Sequence, residues 1–122
     1  MSKRILICDD EAQLRLTLRT RLESWGYKVL ECTDGKQALE LLENEIPDLI
    51  LMDVMMPPPN GYQTCRQIKD NVNLKNIPVI MLTAKGSDSD KFWGQESGAD
   101  SYVVKPYSAE VLQREISRHI KS

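Results

Sequence analysis

Long apolar runs are missing from these 122 residues: no stretch approaches the roughly 20 that a membrane helix needs. Basic charge is not in excess either, since sixteen Lys and Arg stand against eighteen Asp and Glu, a net of −2. Surfaces that hold nucleic acid or membranes generally run basic, so neither is expected as a direct partner. Cysteine is sparse. Cys8, Cys32 and Cys65 are odd in number and lack metal-ligand spacing, so each reads as a small buried residue rather than half of a disulfide. That usage suits a reducing, cytoplasmic compartment. The start, Met1-Ser2-Lys3-Arg4-Ile5, opens an apolar run that stops at once in acids, unlike a secretory signal. No Gly-x-x-x-x-Gly-Lys occurs, so nucleotide hydrolysis on a P-loop has no support. Linkers and low-complexity segments are also lacking. With 41% apolar and 28% charged residues, the composition is that of one folded domain spanning 1–122.

What is present alternates in period. Ile5-Leu6-Ile7-Cys8, Leu49-Ile50-Leu51-Met52, Val79-Ile80-Met81-Leu82 and Tyr102-Val103-Val104 are nearly continuous, as central parallel strands covered on both faces should be. Val29-Leu30 with Cys32, flanked by Lys28 and Glu31, predicts a more exposed strand. Between them lie helical stretches. Leu14, Leu18, Leu22 and Trp25 share one face, with Gly26 placed to end that helix. Ala38, Leu39, Leu41 and Leu42 mark the second helix, and Gly61 to about Asn71, with Ile68 inward, the third. A fourth is predicted from Ser87 to Ser97 with Phe92 inward, weakened by Gly94-Gln95, and Val111, Leu112, Ile116 and Ile120 mark the fifth. Strand and helix thus alternate five times. The fold class is α/β, a doubly wound five-stranded parallel sheet with five helices on its two faces.

In such sheets the ligand crevice lies beyond the C-terminal strand ends. There the sequence puts Asp9-Asp10-Glu11, Asp53, Thr83-Ala84 and Lys105-Pro106. Singly these are ordinary: an Asp before a helix commonly caps it, a Thr sits in a turn, a Lys is solvated. Together they converge on one edge. Clustered carboxylates repel unless a cation neutralises them, and hard oxygens without Cys or His suit Mg²⁺. A lysine beside such a site is what a transferring phosphoryl group needs. Asp53 is then the nucleophile that forms an aspartyl phosphate, with Thr83, the Ala84 N–H and Lys105 holding the oxygens.

These residues also carry a resemblance. Asp9-Asp10-Glu11, Asp53-Val54-Met55-Met56-Pro57 with Gly61 eight residues after Asp53, Thr83-Ala84 and Tyr102-Val103-Val104-Lys105-Pro106 together resemble the CheY-like receiver domain of bacterial two-component response regulators, from Lys3 to Ile120. The resemblance implies that Asp53 takes its phosphoryl group from a phosphohistidine on a sensor histidine kinase or phosphotransfer protein. It implies Mg²⁺ on Asp10, Asp53 and the Met55 carbonyl, with Asp9 acting through water, and a cis Lys105–Pro106 peptide. It makes the protein a catalyst only of its own phosphorylation and dephosphorylation. Thr83 and Tyr102 become the switch: the hydroxyl moves in, Tyr102 turns from exposed to buried, and the face of fourth helix, fifth strand and fifth helix controls a downstream protein. Met55 and Lys85 flank the path of a hydrolytic water. Neither can orient it, so slow self-dephosphorylation is expected.

Departures shape the rest. The ion-pair dimer of winged-helix regulators is matched by Lys91 and Asp100 but not by Trp93, Ser101, Val111 or Glu115, so a monomer is expected. Trp93 and Tyr102 form a candidate partner surface. Pro57-Pro58-Pro59 stiffens the loop beside Asp53, and His119 lies far from the acids near a helix end. An aspartyl phosphohydrolase would want a second acid where Met55 stands, and a flavin carrier a Ser/Thr/Gly-rich loop where Asp9-Asp10-Glu11 stands. A binding module independent of phosphorylation is the remaining alternative. The start suits a natural N-terminus. The end at Ser122 suits a stand-alone switch, a phosphorelay intermediate or a receiver cut from a longer regulator with an output domain.

Overall fold

A computed structural model describes residues 2–84 and 97–120. Five strands, β1 (Arg4–Cys8), β2 (Lys28–Cys32), β3 (Leu49–Asp53), β4 (Val79–Thr83) and β5 (Ser101–Val104), form one parallel sheet in the order β2-β1-β3-β4-β5. Every residue of β3 and β4 is buried, as their unbroken apolar runs require, whereas β2 lies at an edge and is half-exposed. Successive side chains alternate between the faces. Leu6, Cys8, Ile50, Met52, Val79 and Met81 form one core, and Ile5, Ile7, Leu49, Leu51, Ile80 and Leu82 the other.

Among the described residues four helices cover these cores. The first core takes α2 (Gly35–Leu41) through Ala38 and α3 (Gly61–Asp70) through Cys65 and Ile68. The second takes α1 (Ala12–Ser24) through Leu18 and Leu22 and the last helix, α4 (Ala109–His119), through Leu112 and Ile116. The helix predicted over 87–97 lies, but for Ser97, outside the described residues, as do Lys85, Lys91, Phe92 and Trp93. No described helix is long and apolar enough to cross a membrane.

Local chemistry sets the helix ends. Gly26 adopts φ +93° after α1; its N–H reaches the Glu23 carbonyl, and the Tyr27 N–H reaches that of Leu22. This is the paired bonding of a Schellman stop, with Tyr27 buried against Leu22. Asp34, Asn60 and Ser108 cap α2, α3 and α4 with their side chains, and Asn60 shares a reciprocal capping box with Gln63.

Two core expectations need correction. Leu14 is exposed because the first turn of α1 extends beyond the strand ends, where it lines a cavity with Leu82 and Tyr107. Val111 is also exposed: Leu112 and Ile116, four apart, take the stripe facing the sheet and turn Val111 aside. The three cysteines are free and buried, as their sparse spacing predicts.

Candidate functional site: a carboxylate cluster at the strand ends

Register assembles the site. Cys8 pairs with Met52 and Asp53 with Leu82, so Asp9 and Asp53 emerge side by side where β1 and β3 end. Thr83 pairs with Val104, and its carbonyl accepts the Lys105 N–H at 2.6 Å. Asp53, Thr83 and Lys105 therefore follow one another across three neighbouring strands. Oxygens of Asp9, Asp10 and Asp53 all lie within 4.8 Å of one another. Lys105 Nζ donates to Asp53 Oδ1 at 2.9 Å. Asp9 and Asp53 are buried, at 1% and 4% exposure, whereas Asp10 faces solvent. Thr83 is buried at the strand end and Ala84 is exposed beside it. The Lys105–Pro106 peptide is cis, as the resemblance implies; so is Pro58–Pro59, which the sequence does not signal.

Neither acid caps α1. The N-cap is Glu11, which makes no side-chain cap, and Asp9 Oδ1 instead accepts the Glu11 N–H at 2.9 Å. Asp9 Oδ2 is buried without any hydrogen-bond partner. An orphaned carboxylate oxygen beside two further carboxylates, in an all-oxygen donor set, fits a hard divalent cation. Cys8, next in the chain, adds no thiolate, because contact with Cys32 and burial push its thiol far up.

Burial is the strongest influence on Asp9 and pushes its carboxyl up; Asp53 and Asp10 push the same way, while the Glu11 N–H and Lys105 pull down. The folded value therefore lies above the roughly 3.9 of an unfolded Asp. Between the two, the folded chain binds more protons than the unfolded one, so the Asp9 contribution to stability falls as pH rises through that window. Asp9→Asn is accordingly expected to gain stability over the wild type as pH rises from about 4. Urea unfolding in chelator checks this, and added Mg²⁺ should shrink the gain. A pH-independent difference would contradict it.

Openings reach the cluster from more than one side. A groove of about 700 Å³ runs past Asp10, Met55, Asn60 and Tyr62, and a smaller cavity of about 300 Å³ touches Asp9 and Lys105 from the α1 side. Met55 is 71% exposed in the groove wall. Tyr102 is half-buried against the core that α2 and α3 cover. His119 lies at the other end of β5, 3.1 Å from the Ser101 hydroxyl.

The sequence reading misses Arg15. Its Nη1 donates to the Asp9 carbonyl at 2.7 Å while Nε faces Glu31 at 3.3 Å. A charged residue on a helix gives no signal of that kind. The reading also uses Gly61 only as a spacing mark and a helix start. A Cβ there would stand 2.2 Å from the Asp53 carbonyl oxygen.

Comparison with known proteins gives consistent matches. The response regulator receiver domain family matches residues 5–117. A probable transcriptional regulator ycf27 of Guillardia theta is 45% identical over 114 residues, 93% of this chain and 44% of that protein. The alkaline phosphatase synthesis transcriptional regulatory protein PhoP of Bacillus subtilis is 41% identical over all 122 residues, covering 48% of that protein. The chain thus spans about half the length of these curated relatives. Among solved structures, the receiver domain of a sensor histidine kinase from Pseudomonas aeruginosa PAO1 superposes with a TM-score of 0.91 at 33% identity, covering 100% of both chains. That structure holds a magnesium ion coordinated in its active-site cleft.

Proposed function

This chain belongs to the response regulator receiver domain family, and from that premise we propose that it is a phosphorylation switch working through Asp53. The donor is a phosphohistidine of a sensor kinase or phosphotransfer protein in the cytoplasm, and the chain catalyses only its own phosphorylation and dephosphorylation. One observation carries the reading: three carboxylates gathered within 4.8 Å, with Lys105 on Asp53 and one buried Asp9 oxygen left without a partner.

Asp10, Asp53 and the Met55 carbonyl would hold Mg²⁺, with Asp9 acting through water. Bound there, Mg²⁺ supplies charge that stabilises the transferring phosphoryl oxygens. The chain's own groups do the rest. An Asp53 oxygen attacks phosphorus as the bond to the imidazole nitrogen breaks, and the imidazole leaves with that electron pair. Lys105 is the cation already at Asp53, and its ammonium can follow the charge onto the phosphoryl oxygens. Thr83 and the Ala84 N–H supply donors from the end of β4. Drawing the Thr83 hydroxyl toward the phosphoryl group opens space for Tyr102 to turn further in, which biases the surface of β5 and α4 toward a downstream partner.

Two acids of that surface are paired within the chain among the described residues. Asp100 holds Lys69 at 2.7 Å and Glu115 holds Arg118 at 2.9 Å, which supports a monomer over the ion-pair dimer. The relatives' names favour a second station in the pathway, as the receiver half of a transcriptional regulator.

Incubation with acetyl phosphate, with and without Mg²⁺, tests the reading by intact mass. One Mg²⁺-dependent phosphoryl adduct, lost in Asp53→Asn, is expected. No adduct, or one that persists in the variant, refutes it. Once formed, the adduct should decay slowly, because neither Met55 nor Lys85 can align a water for attack. A Met55→Asn, Lys85→Glu double variant is expected to lose it several-fold faster after the donor is removed.

A further inference from the structure

Among the described residues, Asp9 carries the one buried side-chain oxygen that has no partner, so what fixes its backbone fixes where that oxygen points. Its N–H is held by the Cys32 carbonyl of β2 at 3.2 Å, an extension of the β1–β2 ladder. Its carbonyl does not continue that ladder. It accepts Arg15 Nη1 at 2.7 Å, from one turn inside α1. That carbonyl belongs to the peptide joining Asp9 to Asp10, two members of the carboxylate cluster. Turning this peptide changes the spacing of both side chains at once.

Arg15 is itself fixed. Its side chain is mostly buried, its Nε faces Glu31 Oε1, and the other Glu31 oxygen pairs with Arg19. The guanidinium's rigid fork thereby spans two acceptors, neither of them a carboxylate oxygen of the cluster. Lys105, by contrast, bonds directly to Asp53.

We propose that Arg15 is a positioning residue for the divalent-cation site: held by Glu31, it clamps the Asp9–Asp10 peptide so that both carboxylates face one point. This rests on the function proposed above, and its sign separates it from simple electrostatics. Removing a positive charge near three carboxylates should by charge alone tighten a divalent cation. Loss of an outer-shell clamp loosens it, typically by about 10- to 100-fold.

Calorimetric titration of the full chain with MgCl₂ decides between them. Arg15→Ala is expected to raise the Mg²⁺ dissociation constant by at least about 10-fold. Arg19→Ala removes the same charge from the same Glu31 but makes no contact with Asp9, and should bind Mg²⁺ as tightly as the wild type or more so. Arg15→Lys, which keeps a cationic donor, should recover part of the loss. An Arg15→Ala chain that binds Mg²⁺ as well as the wild type overturns the proposal, as does an equal loss in Arg19→Ala. A second readout needs no metal: the Glu11 amide, bonded to Asp9 Oδ1, should exchange its hydrogen faster in Arg15→Ala than in Arg19→Ala. If the wild type binds no Mg²⁺, the functional reading fails, and that amide alone upholds or overturns the clamp.

Discussion

Replacing Lys105 by Met is expected to slow phosphorylation of Asp53 by acetyl phosphate by about 100- to 1,000-fold while leaving Mg²⁺ bound at least as tightly as in the wild type. The two effects run in opposite directions for one reason. Lys105 Nζ sits 2.9 Å from Asp53 Oδ1, and no other ion pair reaches Asp53 among the described residues. Before transfer the ammonium competes with a divalent cation for that oxygen, so its removal relieves competition and repulsion. During transfer, charge develops on the phosphoryl oxygens, where a fixed cation in a half-buried site stabilises the transition state far more than the ground state. Met preserves much of the alkyl stem that packs at the end of β5, which keeps lost packing out of the result. A rate within a few-fold of the wild type would show that Lys105 only neutralises Asp53 at rest. A parallel loss of Mg²⁺ binding would show that it organises the site rather than the chemistry.

The strand ends were legible because burial on both faces leaves continuous apolar runs, and the residue that ends each run is where chemistry can sit. Hence the sequence alone places Asp9, Asp53, Thr83 and Lys105 on one edge, and the register puts them there. The Schellman stop at Gly26 was legible for a similar reason: a glycine after a periodic run carries one local meaning. What could not be read depends on contacts between distant segments. Arg15 looks like any solvated helix charge until the Asp9 carbonyl is found beside it. Leu14 fits the apolar period of α1, yet its turn overhangs the sheet and lines a cavity instead of the core. Asp9 and Asp10 stood where helix caps stand. Only the geometry shows that Glu11 holds the cap position and that Asp9 turns back to the Glu11 N–H.

The second large effect is expected at Gly61, which has no chemistry of its own. It opens α3, and its N–H donates to the Val54 carbonyl at 3.2 Å. A Cβ there would meet the Asp53 carbonyl oxygen at 2.2 Å, Val54 Cα at 2.8 Å and the Asp53 carbonyl carbon at 2.9 Å. All three are backbone atoms and cannot rotate aside, so either α3 retreats or the end of β3 moves. Overpacking of this kind costs about 1–3 kcal/mol, and the helix preference of Ala over Gly, at most about 1 kcal/mol, does not cancel it. Asp53 is the residue displaced, so the larger consequence is catalytic: a shift near 1 Å at a reacting group can cost about 100-fold in rate. Gly26→Ala is the matched control. That glycine adopts φ +93° with nothing within 4 Å of the added Cβ, so the substitution costs about 1–2 kcal/mol through backbone strain alone. Urea unfolding should find both variants weakened by similar amounts. With acetyl phosphate, only Gly61→Ala should label slowly, by roughly 100-fold against a wild-type rate for Gly26→Ala. Equal slowing in both would mean that the site merely tracks global stability. Slowing confined to Gly61→Ala would establish that the close approach of α3 to β3 sets the position of Asp53.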